Sequence, residues 1–175
     1  MSVVIWLTGL SGSGKTTIAK ELSTSFTKNS ISNEILDGDI YRAILSPKDG
    51  YSDQEREIFR QKVIFIAELL VRNDIVCIIP LLSSIQKTRA LARNKFKNFI
   101  EVYIKCPLDI CEIRDPKGLY KQVRKGEINN FVGIDLPYEE PINPEIIIQS
   151  DKLSASKASE RIMDYTINNF SYLFS

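Results

Sequence analysis

The sequence predicts an α/β fold, doubly wound, with a mainly parallel five-stranded sheet and helices on both faces. Three observations carry this expectation. Short apolar runs alternate with helical patterns along the whole chain. The most apolar run, Ile75 to Leu82, is continuous rather than alternating, as in a strand covered on both faces. A glycine-rich turn joins the first such run to the first helical pattern. In order, Val3 to Leu7 reads as a buried strand, about Lys15 to Thr27 as a helix, and Ile31 to Leu36 as a second strand ending at Asp37-Gly38-Asp39. A loop containing Pro47 and Gly50 follows, and Ser52-Asp53 caps a long helix reaching about Arg72. After the central strand come a helix around Ile85 to Lys97, a strand from Phe99 to Ile104, and a helix opened by Pro107 where a missing N–H costs little. A short basic helix from Lys117 to Lys125 leads into a turn-rich stretch, Gly126 to Pro144. The last strand covers Glu145 to Ile148 and the closing helix Ser154 to about Phe170. With no internal repeat or linker, a single domain over residues 1–175 is expected.

Composition narrows the function. The chain has 175 residues, 43% hydrophobic and 26% charged, which is ordinary for a globular domain. Lys and Arg total 23 against 22 Asp and Glu, so the net charge is +1. That balance favours neither nucleic acid nor a membrane surface as partner, and any polyanion site must be a local cluster. Cys77, Cys106 and Cys111 form no CxxC pair, and there is no histidine to complete a zinc site. They read as core or helix-face thiols in a reducing compartment. Without histidine, proton transfer falls to a carboxylate. The apolar N-terminal run meets glycine too soon for a signal peptide or membrane span, which points to a cytoplasmic location.

The chemistry centres on Gly9-Leu10-Ser11-Gly12-Ser13-Gly14-Lys15-Thr16, which fits G-x-x-x-x-G-K-[ST] between a predicted strand and a predicted helix. Glycines let successive backbone N–H groups curl around phosphates, and the helix N-terminus adds partial positive charge. Lys15 is expected at the β- and γ-phosphates of ATP and the Thr16 hydroxyl on Mg²⁺. The expected fold is therefore that of the P-loop NTPases and kinases.

Within that class a GTPase switch is disfavoured. Asp115-Pro116-Lys117-Gly118 matches DxxG but follows a predicted helix, and Asn94-Lys95-Phe96-Lys97 lacks the aspartate that reads guanine. A non-catalytic nucleotide-binding module is the remaining alternative to a kinase. For a kinase speaks Leu36-Asp37-Gly38-Asp39 at the carboxyl end of the second strand, where ligands of open α/β sheets bind. Asp37 and Asp39 there can orient the waters of Mg²⁺ and accept a proton from an attacking hydroxyl. The bland alternative is an Asp-Gly turn with Asp39 as a helix N-cap.

At this point the sequence resembles the adenylylsulfate (APS) kinase family. The resemblance rests on the phosphate loop through Thr17, on Leu36-Asp37-Gly38-Asp39 with Arg42, and on Gly50-Tyr51-Ser52-Asp53 with Arg56. It continues through Cys106-Pro107-Leu108, Cys111, Arg114-Asp115 and Lys117-Gly118-Leu119-Tyr120-Lys121. Further on come Asn130-Phe131, Gly133-Ile134-Asp135, Pro137-Tyr138-Glu139, Pro141 and Pro144-Glu145. The resemblance implies transfer of the γ-phosphoryl of ATP to the 3′-hydroxyl of APS, giving PAPS, by a homodimer. It implies Asp37 and Asp39 beside the acceptor hydroxyl and Mg²⁺, and Arg42 and Arg56 gripping the phosphosulfate. Tyr51 and Phe131 would sandwich the acceptor base. Ser83 matches a serine after the central strand, Lys117 a mobile basic segment over the site, and Arg114 an ATP contact.

The departures lie on the acceptor side. Phe59 stands where the family has an asparagine that contacts the acceptor, and Gln61-Lys62 replace a pair of arginines. Pro80-Leu81-Leu82-Ser83-Ser84-Ile85-Gln86 replaces Ser-Phe-Ile-Ser-Pro-Tyr-Arg, and Ile40 and Ala43 replace an asparagine and a histidine. Phosphate-gripping and stacking residues are retained while specific polar contacts are rewritten. That pattern leaves open a related acceptor, such as a cytidine diphosphate-type conjugate.

Overall fold

A computed structural model describes residues 2–46 and 52–171. Among these residues twelve elements follow one another: β1 Val4–Thr8, α1 Lys15–Lys28, β2 Asn33–Ile35, α2 Gly38–Leu45, α3 Asp53–Arg72, β3 Val76–Pro80, α4 Gln86–Lys95, β4 Phe99–Lys105, α5 Leu108–Arg114, α6 Leu119–Arg124, β5 Ile146–Gln149 and α7 Ala155–Asn169. The strands form one sheet in the order β2-β3-β1-β4-β5, and every pairing is parallel. β1 is central, with Val4 opposite Cys77 on one side and Phe99 on the other.

Alternation along β1 builds two cores. Ile5 and Leu7 point to the face covered by Ile18, Leu22 and Phe26 of α1 and by Ile162 of α7. Val4 and Trp6 point to the opposite face, covered by Phe59, Val63 and Ala67 of α3 and Ala92 of α4. Each such large side chain, fully buried, contributes about 1.5–3 kcal/mol, so a central strand without a polar face is the element the sheet is built around.

Helix starts explain most boundaries. Ser52 caps α3 through a reciprocal capping box with Glu55, and Ser154 caps α7 by accepting from Lys157 N. Pro107 precedes the first turn of α5 instead of occupying it, one position earlier than expected. α2 is an additional helix, in a stretch to which the sequence assigns no element ahead of the loop containing Pro47 and Gly50. Its cap is Asp37, not Asp39, with Asp37 Oδ1 accepting from the N–H groups of Asp39 at 2.9 Å and Ile40 at 3.4 Å. α2 is only eight residues long, and its Ile40 and Ile44 are exposed. The DxxG match is a helix junction. Asp115 accepts from the N–H groups of Tyr120 and Lys121 and so starts α6.

One buried ion pair ties the sheet to α4. Arg89 Nε lies 2.9 Å from Glu101 Oε1, with both side chains almost wholly out of solvent. The contact is too bent for a good hydrogen bond, so its attraction is chiefly coulombic. Glu101→Ala would strand the guanidinium in the core. Urea denaturation should show a loss of about 3–5 kcal/mol, and a loss under about 1 kcal/mol would contradict this account of the pair.

Candidate active site

The strand order reverses at β1, whose neighbours β3 and β4 lead away in opposite directions. This opens a crevice at the carboxyl ends of the strands. A cleft of about 1390 Å³ occupies it. Its walls come from the turn after β1, the start of α2, the chain after β3 and the segments around Lys117 and Phe131.

The turn after β1 is held from outside. Tyr120 donates its hydroxyl to Ser11 O at 3.0 Å, and Ser150 Oγ donates to Ser13 O at 2.7 Å. Gly12 has φ 74, and a Cβ there would sit 2.8 Å from Cys111 O, so a side chain would force α5 and the loop apart. Lys15 Nζ donates to Gly9 O at 2.9 Å and Leu10 O at 2.7 Å. The carbonyls of Gly9, Leu10, Ser11 and Ser13 are therefore engaged, and the loop offers the cleft mainly donors and a cation.

Burial pushes the Lys15 ammonium down to about 8, against the opposing pull of Asp39, Cys111 and Asp37 and with a small push from Lys117. Burial also pushes the Cys111 thiol up to about 12 and raises Cys77 further still. All three cysteines are free and buried, in keeping with their reading as inert core thiols.

Across from the loop, Thr16 Oγ1 donates to Asp37 Oδ2 at 2.9 Å. Asp37 is 5% exposed, fixed on one side by this bond and on the other by its cap of α2. A hydroxyl and a carboxylate so paired are hard oxygen donors of the kind Mg²⁺ takes, so the residues fit the ion expected from sequence. No group of three or more acidic or cysteine side chains able to hold a metal ion is found among the described residues, so most of the ion's ligands would be phosphate and water. Asp39, two residues on, is exposed and forms an ion pair with Lys117 across the cleft mouth.

The remaining expected residues also line this one cleft: Arg42, Arg56, Phe59, Ser83, Arg114 and Phe131. Arg42 stacks its guanidinium over the Phe59 ring, 5.2 Å from the centroid. Phe59 itself is 2% exposed, a core residue that forms the floor under Arg42. Arg56 reaches Asn130 O at 3.2 Å, joining α3 to the segment that carries Phe131. Phe131 rests edge-on against Tyr120, 5.0 Å between centroids. Arg114 donates to Ser150 O at 2.8 Å and lies 3.6 Å from Cys106 Sγ. Tyr51, expected to stack on the acceptor base, lies outside the described residues.

Sequence reasoning missed the chain after β5. Ser150, Asp151, Lys152 and Leu153 line the cleft, and Ser150 braces the phosphate loop. The rule that ligands gather at carboxyl ends of strands, applied to the last strand as it was to the second, would have found them. Nothing in the sequence marks the hydroxyl of Tyr120 as the other brace.

A phosphate-binding loop facing carboxylates across the switch point of a 2-3-1-4-5 parallel sheet defines a P-loop kinase. The model of the adenylylsulphate kinase family matches residues 1–149, and the chain belongs to that family. An adenylyl-sulfate kinase from Halothermothrix orenii is 40% identical over 163 residues, 93% of this chain and 88% of the relative. One from Rippkaea orientalis is 45% identical over 149 residues, 85% and 82% of the two chains. Among solved structures, an APS kinase from Mycobacterium tuberculosis in complex with AMPPNP and APS superposes with a TM-score of 0.90 at 36% identity, covering 94% of this chain and 96% of its own. A shikimate kinase from Acinetobacter baumannii, at 16% identity and a TM-score of 0.60, covers 97% and 96% and shares the fold alone.

The lowered Lys15 ammonium gives a pH dependence. Below about 8 the free protein carries the charge and attracts phosphate; above it the charge is lost unless bound phosphate restores the proton. Affinity for a non-hydrolysable ATP analogue, measured by calorimetry, should hold to pH 8 and then fall, by up to about tenfold per pH unit. An affinity unchanged up to pH 9.5 would contradict this.

Proposed function

We propose that the chain transfers the γ-phosphoryl group of ATP to the 3′-hydroxyl of APS, producing PAPS for sulfate assimilation. The observation that carries this reading is the opposition of Lys15 and the Thr16–Asp37 pair to Asp39, Arg42 and Arg56 within a single cleft. Kinship with adenylyl-sulfate kinases at 40–45% identity supports APS over a pyrimidine conjugate as acceptor.

In the proposed reaction the triphosphate occupies the amide-lined loop at the start of α1. Lys15 exchanges the carbonyls of Gly9 and Leu10 for β- and γ-phosphate oxygens and neutralises charge developing there. Thr16 and Asp37 would hold Mg²⁺, which supplies charge neutralisation to the phosphates. Arg42 and Arg56 grip the anionic end of the acceptor, and Phe131 packs on its base. Lys117 releases Asp39 when acceptor enters. Asp39 then takes the proton of the 3′-hydroxyl as that oxygen bonds to the γ-phosphorus, and the bond from phosphorus to the β,γ-bridging oxygen breaks to free ADP. Arg114 lies on the donor side. A cytoplasmic homodimer belongs to the same reading. No helix among the described residues is long and apolar enough to cross a membrane.

The test is purified protein with ATP, Mg²⁺ and a panel of APS and cytidine diphosphate conjugates, scored for phosphorylated product. APS should be the preferred acceptor; preference for a cytidine conjugate would overturn the assignment of substrate. Lys15→Ala should abolish turnover. Asp39→Asn should leave binding of the ATP analogue within about twofold yet cut kcat by about 10²–10⁴-fold, the usual worth of a general base. A wild-type rate in Asp39→Asn would remove Asp39 from proton transfer.

A further inference from the structure

We infer that Trp6 and Arg89, neither of which lines the cleft, are positioning residues that hold Ser83 with its hydroxyl hydrogen directed at the bound acceptor. The inference rests on the proposed reading of the cleft, which Ser83 lines, as the site where the acceptor binds.

Ser83 has φ 43, in the left-handed region, and is 4% exposed. For a residue other than glycine such a backbone costs about 1–3 kcal/mol and persists only where its surroundings over-determine it. Here they do. Trp6 Nε1 donates to Ser83 Oγ at 3.2 Å, and Arg89 Nη1 donates to Ser83 O at 2.5 Å. Thr8 Oγ1 donates to the adjoining Leu82 O at 2.8 Å. Trp6 and Thr8 are two residues apart on β1 and so share a face, and the central strand thereby clamps the chain leaving β3.

The anchor is rigid in turn. Arg89 is 1% exposed, its Nε lies beside Glu101, and its Nη2 donates to Gln86 Oε1 and Glu139 O, each at 2.6 Å. It cannot swing without giving up these bonds and its ion pair with Glu101, whose other oxygen Arg93 holds at 3.1 Å.

The chemistry at Ser83 follows from the kind of donor beneath it. An indole N–H only donates, so Ser83 Oγ accepts from Trp6 and its own hydrogen must point elsewhere. Among the described residues that hydrogen meets no protein acceptor, and Ser83 lines the cleft. The complement is an acceptor oxygen of the substrate, on its anionic group or its ribose. Phenylalanine at position 6 would keep an aromatic ring in part of this buried space, remove the N–H and let the hydroxyl rotate.

Trp6 is the sole tryptophan, so the protein has one indole N–H resonance. In ¹⁵N-labelled protein, Ser83→Ala should shift that resonance clearly; an unmoved resonance would overturn the contact. In kinetics, Trp6→Phe should lower kcat/KM for the acceptor about three- to tenfold, the range for one lost hydrogen bond, with KM for ATP within about twofold. Trp6→Phe combined with Ser83→Ala should be no worse than Ser83→Ala alone, because both act through one hydroxyl. Additive losses, or an equal rise in KM for ATP, would overturn the positioning role. If the wild-type protein phosphorylates no acceptor in the panel, the proposed function fails by itself. The indole resonance still decides the contact, and its response to each conjugate decides whether Ser83 faces a ligand.

Discussion

The structure depends on one constraint: a loop that must spend its backbone donors on a ligand has to be steadied by bonds to its carbonyls. In this chain those bonds come from separate elements. Tyr120 takes Ser11 O, Ser150 takes Ser13 O, and Lys15 takes the carbonyls of Gly9 and Leu10. Two of the three donors lie more than 100 residues away in sequence. The central strand, α6 and the chain after β5 must all be in place before the loop has its shape, so the fold and the phosphate site form together. Arg114 belongs to this bracing through Ser150 O as much as to any contact with nucleotide.

The same cleft pairs charges that must later part. Lys15 is costly to keep charged where it sits, and Lys117 closes on Asp39 at the mouth. Both lysines hold partners that substrates can replace, carbonyls for phosphate in one case and a carboxylate in the other. Part of the desolvation cost is thus met in the free protein, and binding exchanges one set of polar contacts for another. Asp37 has no such freedom, being bonded to Thr16 and to the start of α2. This separates the roles of two aspartates that the sequence presents as equivalent: Asp37 suits a fixed ligand, Asp39 a mobile proton acceptor.

The fold was legible because its signals are local. Continuous apolar runs marked the buried parallel strands, and Ser52 and Ser154 marked helix starts by capping chemistry that acts within one turn. Most of the cleft was legible too, since the phosphate loop and Asp37 to Arg42 are contiguous motifs. What escaped was either short or long-range. α2 is too brief for its period to stand out, and its cap, Asp37, reads from sequence as a site carboxylate with an Asp-Gly turn as the alternative, so its capping role is hidden. Phe59 stood in a substrate-contacting position by resemblance, yet its 2% exposure follows from packing that only the folded sheet reveals. The clamp of Trp6 and Arg89 on Ser83 crosses strands and helices, and no spacing in the sequence could have announced it.

The most direct measurement is a crystal structure of the ternary complex with a non-hydrolysable ATP analogue and APS. The account expects the 3′-hydroxyl within about 3.2 Å of an Asp39 carboxylate oxygen, in line with the γ-phosphorus, and Lys117 withdrawn from Asp39. An intact Lys117–Asp39 pair, with the acceptor hydroxyl out of reach of both carboxylates, would contradict it.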